Sequence, residues 1–269
     1  GSISLVFRVI PSNPPTMAEL GLPEVCKDLI QLPRGLILET GPTGCGKSST
    51  LAAMLEYLNQ NFERKVVTIE DPIEFIHHSK KCVVSQREVG SDTKSFAEAL
   101  RHVTRQDPNV IMVGEMRDLE TMSTAITAAE TGHLVLSTLH TIGAAESASR
   151  IIGAFPAGEQ AQIRTQLAEV LEGVISQILL RRADGKGRVA AFEVMVGTTA
   201  VKNLIRQNQL SQIVSYLETG QRLGMRTLDQ DLERLAALGV ITPEEAMAKV
   251  RYRQEDKERR QRRGSEPSQ

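Results

Sequence analysis

The sequence contains no tryptophan, and its aromatic content is only 3%. So few rings argue against a stacking platform for single-stranded nucleic acid. The formal net charge is −1, so the chain as a whole has no electrostatic preference for polyanions. No apolar run approaches the roughly 20 residues that span a bilayer, and no signal-peptide pattern begins the chain. We therefore expect no stable nucleic-acid binding, and membrane association only through partners.

Cysteine is also scarce. Cys26, Cys45 and Cys82 form no CxxC pair and no cluster with histidine, which argues against a structural zinc site. Their odd number fits a reducing compartment and gives no disulfide framework. The 269 residues are 41% hydrophobic and 24% charged, which is ordinary for a globular protein. That length suits one large α/β domain, alone or with a smaller appendage.

Strand and helix patterns alternate through the first half of the chain. The sequence predicts buried strands at Gly35–Thr40, Lys65–Ile69, Val110–Val113 and His133–Ser137, and helices at Pro23–Leu32, Ser48–Asn59, Ser95–Arg105 and from an Asp118 cap to Glu130. This alternation predicts an α/β fold with a mostly parallel sheet covered on both faces.

The pattern changes after Phe155-Pro156. Periodicity predicts a long helix over Gly158–Leu179, then a hairpin around Asp184–Gly187 that leads into Arg188–Val196. Several amphipathic helices are expected from Thr199 onward, one of them starting at Thr242 with Pro243 in its first turn. The charged tail, residues 252–269, lacks apolar periodicity, and we expect it to be disordered.

A phosphate-binding loop is the strongest motif. It follows one predicted strand, opens one predicted helix and comprises Gly41, Pro42, Thr43, Gly44, Cys45, Gly46, Lys47, Ser48 and Ser49. Its glycines let backbone N–H groups wrap around phosphate at the helix N-terminus. Lys47 supplies a cation to the β- and γ-phosphates, and Ser48 supplies a hydroxyl to Mg²⁺. The sequence therefore predicts binding and hydrolysis of ATP with Mg²⁺.

Carboxylates follow two of the predicted strands. Glu115 comes after Val110–Val113, and Gly114 stands where a metal-binding Asp is usual, so Glu115 must act on the metal or the water without an adjacent acid. Glu70, Asp71 and Glu74 follow the strand Lys65–Ile69 at the same edge of the sheet. Carboxylates there can hold Mg²⁺ through water or polarise the attacking water.

Cationic and imidazole side chains complete the candidate set. His140 lies just beyond a buried strand, from where it can report the presence of a γ-phosphate. Arg117, Arg101 and Arg105 are candidates for phosphate contacts or for an arginine that acts between subunits. Cys45 sits at a helix N-terminus, where a thiolate is favoured, so we expect thiol modification to block ATP binding and ATP to protect the thiol.

These motifs, in this order, resemble the secretion ATPase superfamily, and most closely the type IV pilus retraction (twitching motility) ATPase family. The matching segments are the phosphate loop, Thr68–Phe75, Gln86–Val89, Val113–Asp118 and Ala129–Thr141. The resemblance implies that Glu70, Asp71 and Glu74 form an acidic box, that Glu115 belongs to an atypical Walker B strand, and that His133 and His140 form a histidine box.

The resemblance also implies an architecture and partners. Family members are ring-shaped homohexamers with a RecA-like motor domain and an N-terminal PAS-like domain. Residues 1–10 would be the last strand of that N-terminal domain, residues 11–23 a linker, residues 24–198 the RecA-like ATPase core and residues 199–251 a C-terminal helical region. The expected partners are an inner-membrane pilus platform protein and the pilus base, with the motor cytoplasmic and peripheral at the inner membrane.

One departure and three alternatives stay open. The retraction motif Ala-Ile-Arg-Asn-Leu-Ile-Arg-Glu appears here as Ala200–Gln207, with Lys202 for Arg, which loses a planar two-pronged contact, and Gln207 for Glu. The chain is therefore expected to be either the main retraction motor or its accessory paralogue. The alternatives are a type II or type IV secretion ATPase that assembles, a non-hydrolysing nucleotide-binding subunit, and a RecA-like nucleic-acid translocase that uses the basic tail.

Overall fold

The fold centres on one seven-stranded sheet, in a computed structural model that describes residues 13–251. Its strands are β1 (Gly35–Thr40), β2 (Lys65–Glu70), β3 (Val83–Glu88), β4 (Val110–Val113), β5 (Leu134–Leu139), β6 (Leu171–Arg181) and β7 (Arg188–Val196). They lie in the order β3-β2-β4-β5-β1-β6-β7. All neighbouring pairs are parallel except the β6–β7 hairpin, so the prediction of a mostly parallel sheet is confirmed.

Helices cover both faces of the sheet. They are α1 (Val25–Ile30), α2 (Lys47–Asn61), α3 (Phe96–Val103), α4 (Leu119–Glu130), α5 (Ala144–Gly153), α6 (Gln160–Val170), α7 (Thr199–Arg206), α8 (Ile213–Thr219), α9 (Leu228–Ala237) and α10 (Pro243–Met247). Helices α1 and α2 share one apolar core with the sheet, and α3 to α8 share the core on the other face. A third cluster joins α9 and α10 to the β6–β7 hairpin.

Local signals set several boundaries where the sequence predicts them. Strands β1 and β4 match their predicted limits, and the Asp118 carboxylate accepts the backbone N–H of Thr121 as the cap of α4. Thr242 caps α10, with Pro243 in the first turn as predicted. Among residues 13–251, no helix combines the length and apolar character needed to cross a bilayer.

The predicted long helix over Gly158–Leu179 is wrong. Helix α6 ends at Val170, and the chain continues directly as strand β6. The segment Leu171–Leu179 carries apolar residues at spacings that suit either structure, and its pairing with both β1 and β7 decides in favour of the strand. Gly173 fits this choice, because a Cβ there would lie 2.8 Å from the side chain of Leu29 on α1.

Two elements carry no clear sequence signal. Strand β3 lies at the edge of the sheet and is half-exposed, so its residues Ser85 to Glu88 are polar instead of alternating with apolar ones. Helix α5 follows β5 and packs against α6. The predictions for residues 1–10 and for the tail 252–269 concern residues outside the described range. The division between an ATPase core and a C-terminal helical region stays a prediction.

Candidate nucleotide-binding and hydrolysis site

The phosphate loop links the end of β1 to the start of α2. Gly46 is the N-cap of α2 with a left-handed φ of 96°, which glycine adopts without strain. Gly41 is required by space as well as by its φ of 142°, because a Cβ there would lie 2.3 Å from the carbonyl oxygen of Gln177. The loop therefore presents backbone N–H groups at a helix N-terminus, which is an anion-binding arrangement.

Lys47 lies at the centre of this loop. Its Nζ donates to the carbonyl oxygen of Gly41 at 2.9 Å and to that of Pro42 at 3.3 Å, and the residue is buried. The loop backbone thus holds the ammonium group in position, and no carboxylate within residues 13–251 forms an ion pair with it. A cation held in this way is ready to meet the β- and γ-phosphates of a nucleotide.

Gln177 on β6 forms two side-chain hydrogen bonds that hold the phosphate loop. Its Nε2 donates to the carbonyl oxygen of Cys45 at 2.6 Å, and its Oε1 accepts from the Thr50 hydroxyl at 2.7 Å. Both hydrogen bonds are buried, and they tie the loop and the first turn of α2 to the neighbouring strand. No motif in the sequence marks Gln177, because its partners lie more than a hundred residues earlier in the chain.

The acidic segment after β2 faces the first turn of α2. The Ser48 hydroxyl donates to Glu74 Oε1 at 3.1 Å, and Glu70 and Asp71 line the same cavity. Glu70 Oε1 accepts from the Thr68 hydroxyl at 2.6 Å and from Gln86 Nε2 at 3.0 Å. Burial raises the pKa of Glu70, and these two hydrogen bonds oppose the rise.

Strand β3 positions this acidic segment, although no sequence pattern predicts the strand. Gln86 accepts the backbone N–H of His77 at 2.8 Å, and Glu88 accepts that of Ile73 at 3.0 Å. The segment Gln86–Val89, which carries part of the family resemblance, therefore supports the acids from behind. The order β3-β2-β4 brings this support to the carboxyl edge of the sheet.

Glu115 follows β4 and is largely buried, with partners on both oxygens. Arg117 Nη2 lies 2.6 Å from Oε1, and His140 Nε2 lies 3.4 Å from Oε2 of Glu115. The other ring nitrogen of His140 lies 3.5 Å from the Thr43 hydroxyl in the phosphate loop. The structure thus brings Glu115, His140 and the loop together at one end of the cavity.

His133 is the one predicted catalytic residue outside this group. It precedes β5, its Nδ1 lies 2.9 Å from the carbonyl oxygen of Ala128, and the next residue, Leu134, pairs with Gly35 at the start of β1. It therefore lies at the amino-terminal edge of the parallel sheet, roughly 20 Å from the carboxyl edge by strand length. Within a single chain the structure does not bring His133 together with the other predicted catalytic side chains, and a catalytic role for His133 stays a prediction.

Of the three arginine candidates from the sequence, only one lines the cavity. Arg117 lines the cavity, whereas Arg101 pairs with Glu120 at 2.7 Å on the surface. Arg105 lies in a short 3₁₀ turn after α3 and does not line the cavity. Arg188, at the start of β7, does line the cavity, and the sequence analysis had not singled it out.

The expected reactive thiolate at Cys45 is wrong. The side chain packs under the loop and is only 3% exposed, and burial raises the pKa of its thiol despite the nearby Lys47 ammonium. Desolvation therefore outweighs the favourable helix terminus. Blocking of ATP binding by thiol modification stays a prediction.

Glu39 is a buried acid that the sequence analysis missed. It lies on β1 just before the loop, and neither carboxyl oxygen has a hydrogen-bond partner among the described residues. Burial raises the pKa of Glu39 well above its usual value, and the Lys47 ammonium opposes the rise. The available signal was a charged residue within the otherwise apolar strand Gly35–Thr40.

A single cavity of about 560 Å³ at the carboxyl edge of the sheet is lined by the phosphate loop, by the acidic segment after β2, and by Glu115, Arg117 and His140. Among residues 13–251, no three or more His, Cys, Asp or Glu side chains converge to hold a metal. The fold and the site together define a RecA-like phosphate-loop nucleotide-binding protein.

Comparison with known proteins identifies the family. Residues 4–248 match the family of type II/IV secretion system proteins, and the chain belongs to that family. The type IV pilus retraction ATPase PilT of Pseudomonas aeruginosa is 56% identical over 91% of this chain and 71% of its own length. A twitching motility protein of Neisseria gonorrhoeae is 54% identical over 90% of this chain and 64% of its own length.

Solved structures agree with this assignment. A crystal structure of the pilus retraction motor PilT with bound ADP superposes with a TM-score of 0.86 at 49% identity, covering 92% of this chain and 70% of the other. The ATPase DotB of Legionella pneumophila gives a TM-score of 0.82 at 33% identity, over 90% of this chain and 66% of its own. The resemblance to the pilus retraction ATPases is confirmed.

Proposed function

We propose that this chain is the motor part of an ATPase that powers type IV pilus retraction, and therefore pilus disassembly and twitching motility. One observation carries the proposal: a single cavity joins Lys47 and Ser48 of the phosphate loop to Glu115 and to the acidic segment Glu70–Glu74. The high identity to pilus retraction ATPases favours retraction of the pilus over its assembly.

The donor set at Ser48 fits Mg²⁺. Its hydroxyl lies 3.1 Å from a Glu74 oxygen, and oxygen atoms are the ligands that Mg²⁺ prefers. Because few protein oxygens meet there, phosphates and water would complete the coordination. Bound Mg²⁺ would neutralise charge on the phosphate oxygens as the γ-phosphate leaves.

Each side chain then has one task in hydrolysis. The loop N–H groups and Lys47 bind the phosphates, and Glu115 orients and polarises the attacking water. Arg117 and His140 contact the two oxygens of Glu115, and the contact of His140 with Thr43 in the phosphate loop supports a role for His140 in sensing the γ-phosphate. Glu70, Asp71 and Glu74 hold the metal side of the site.

Gly114 explains why Glu115 works without an adjacent acid. A Cβ at that position would lie 3.3 Å from the carbonyl oxygen of Ile69 and 3.4 Å from the ring of Phe96. An aspartate there would require Ile69 or Phe96 to shift by a few tenths of an ångström, so the space favours glycine. The acids after β2 are therefore the carboxylates available to replace it.

The assembly belongs to the same proposal. Six copies form a ring in which an N-terminal domain and arginines of a neighbouring subunit complete each site. The ring works on the cytoplasmic side of the inner membrane, held there by a pilus platform protein and the pilus base. Hydrolysis moves the RecA-like units, and pilin subunits are withdrawn from the base of the pilus.

Deletion of the gene in the source organism tests this function. Excess, non-retracting pili and lost twitching are expected, and complementation by Lys47→Ala should fail while complementation by the wild type succeeds. Loss of pili would instead identify an assembly or secretion ATPase. ATPase activity that rises several-fold with added DNA would identify a nucleic-acid translocase.

A further inference from the structure

The chain leaves β5 at His140 and enters helix α5 at Ala144. The connection between them consists of Thr141, Ile142 and Gly143. Gly143 is the N-cap of α5 and has no side chain, so it makes no side-chain cap hydrogen bond. Because the first N–H groups of a helix find no partner within the helix, those of α5 need acceptors from elsewhere in the fold.

A carboxyl group on β7 supplies one of these acceptors. Glu193 Oε1 accepts the backbone N–H of Ala144 at 2.9 Å, and both residues are buried. A carboxyl oxygen at a helix N-terminus meets the positive end of the helix dipole, so the position favours this hydrogen bond. Glu193 belongs to a central part of β7, and the bond therefore ties the start of α5 to the sheet.

The other hydrogen bonds of the connection run to α5 itself. The Thr141 and Ser147 hydroxyls lie 2.7 Å apart, and the Ser147 hydroxyl donates to the carbonyl oxygen of Gly143 at 2.6 Å. The N–H of Ile142 donates to Glu146 Oε2 at 3.1 Å. These contacts join the connection to the first turns of α5, so the two form one unit.

Glu193 and Arg251 attach this unit to the rest of the described chain. Arg251 Nη1 donates to the carbonyl oxygen of Ile142 from the C-terminal end of the described range, where the residue is half-buried. Glu193 is only 1% exposed, so its hydrogen bond is shielded from water. Apolar packing holds the body of α5 but has no preferred direction, whereas this hydrogen bond fixes where the helix begins.

The position of this unit decides the contacts of His140. The ring lies between Glu115, 3.4 Å from its Nε2, and the Thr43 hydroxyl, 3.5 Å from its Nδ1. Both distances are longer than those of strong hydrogen bonds, so neither contact anchors the ring. The backbone is held on one side by the pairing of Leu139 with Thr40, and on the other side by the connection to α5. A small shift of α5 would therefore move the ring away from both groups.

We propose that Glu193 is a positioning residue for ATP hydrolysis, because by holding the start of α5 it keeps the His140 ring beside Glu115 and the phosphate loop. The inference rests on the proposed function, in which His140 and Glu115 act at the γ-phosphate. Glu193 itself does not line the cavity. Its effect is therefore expected on turnover and not on nucleotide binding.

Substitutions of Glu193 in the full chain test this role by steady-state ATPase assays. Glu193→Ala removes the acceptor and should lower the turnover number about tenfold, with the KM for ATP within about twofold of the wild type. Glu193→Gln keeps an oxygen that can accept the Ala144 N–H, so its turnover should stay within about threefold of the wild type. Glu56→Ala is the matched control, because Glu56 is a buried acid that accepts from Gln60 and Lys80 outside the cavity, and its turnover should not change.

A double-mutant cycle with His140→Ala separates positioning from a general loss of stability. If Glu193 acts through His140, Glu193→Ala should cause no further loss of turnover once His140→Ala is present. Ala144→Pro removes the same N–H at the first helical position, where proline is tolerated. It should behave as Glu193→Ala does, and it replaces that variant in the cycle if Glu193→Ala does not fold.

Three results would overturn the positioning role. They are an equal loss of turnover with and without His140, a raised KM in place of lowered turnover, and wild-type turnover in both Glu193→Ala and Ala144→Pro. A wild-type chain without ATPase activity would instead overturn the proposed function itself.

Discussion

At the scale of single residues, Glu115 combines burial with a fixed orientation. Arg117 and His140 contact its two oxygens, so the carboxylate cannot rotate freely, and the phosphate loop lies within reach through His140 and Thr43. A general base gains most of its effect from such positioning. If Glu115 faces the γ-phosphate, as we propose, its chemistry is separable from nucleotide binding.

Glu115→Gln should therefore abolish turnover while ATP binding persists. Glutamine keeps the shape and cannot accept the proton of the attacking water, so the turnover number should fall about 10²–10⁴-fold with little change in ATP affinity. Steady-state ATPase assays and equilibrium binding on the same preparations measure both. In the control Glu120→Gln, an exposed acid outside the cavity, turnover should stay within about twofold; near-wild-type turnover in Glu115→Gln would remove Glu115 from catalysis.

Glu39 predicts a pH dependence of stability. The pKa of Glu39 in the folded protein is raised above its unfolded value. The stability that protonated Glu39 contributes is therefore fully present at low pH, and it is lost as the pH rises above about 4.5 toward the raised pKa. Relative to Glu39→Gln, the wild type should lose about 1.4 kcal/mol of unfolding free energy per pH unit over that window. The other titratable groups near Glu39 are the same in both proteins, namely Lys47, Cys26 and Cys45.

Urea unfolding of both proteins between pH 5 and pH 8 measures this difference. The exposed substitution Glu218→Gln serves as the control, and its difference from the wild type should not change with pH. A difference between wild type and Glu39→Gln that is equally flat would show that Glu39 ionises in the folded protein as it does in the unfolded chain.

At the scale of elements, the sequence predicts what local chemistry decides. The limits of β1 and β4 and the Asp118 cap of α4 follow from short apolar runs and a capping side chain. Strand β6 does not follow, because its pairing with β1 and β7 outweighs an ambiguous local pattern. The same holds for the residues of the site. Lys47, Ser48 and Glu115 belong to local sequence motifs and could be predicted. Gln177 and Arg188 could not, because they lie near the phosphate loop only through the order of the strands in the sheet.

Asp231 ties helix α9 to the hairpin and predicts a large loss of stability. Its buried oxygens accept the backbone N–H of Phe192 at 2.9 Å and guanidinium donors of Arg226 and Arg234, each at 2.8 Å. Asp231→Ala would leave these donors without their acceptor, at a cost of about 3–5 kcal/mol in unfolding free energy.

Chemical denaturation at constant pH measures the effect of Asp231→Ala. Asp184→Ala is the matched variant, since Asp184 contacts Arg182 on the surface, where solvent screens the pair. Its denaturation midpoint should stay close to that of the wild type. Equal midpoints for both variants would show that the Asp231 hydrogen bonds contribute nothing to the attachment of α9.

At the scale of the whole molecule, the cavity is acidic on the side formed by the segment that follows β2. Glu70, Asp71 and Glu74 line that side, and the described cations of the cavity are few. If neighbouring subunits supply further arginines, as we propose, turnover per chain should rise steeply with protein concentration as rings form. Sedimentation and ATPase assays over the same concentration range measure both quantities.

Subunit mixing sharpens this prediction. Wild-type chains mixed with an equal amount of Glu115→Gln should lose more than half of their summed activity, because inactive subunits interrupt the ring. Glu120→Gln chains, mixed in the same ratio, should have no such effect. Turnover per chain that is independent of concentration, with strictly proportional loss on mixing, would show that each chain works alone.

The β6–β7 hairpin has a mechanical consequence. One face, with Gln177, Leu179 and Arg188, meets the nucleotide cavity, and the other face, with Leu180 and Ala191, is covered by α9 and α10. A two-stranded ribbon therefore separates the ligand from the C-terminal helices. A nucleotide that shifted this ribbon would therefore act on α9 and α10 through the backbone of a single hairpin.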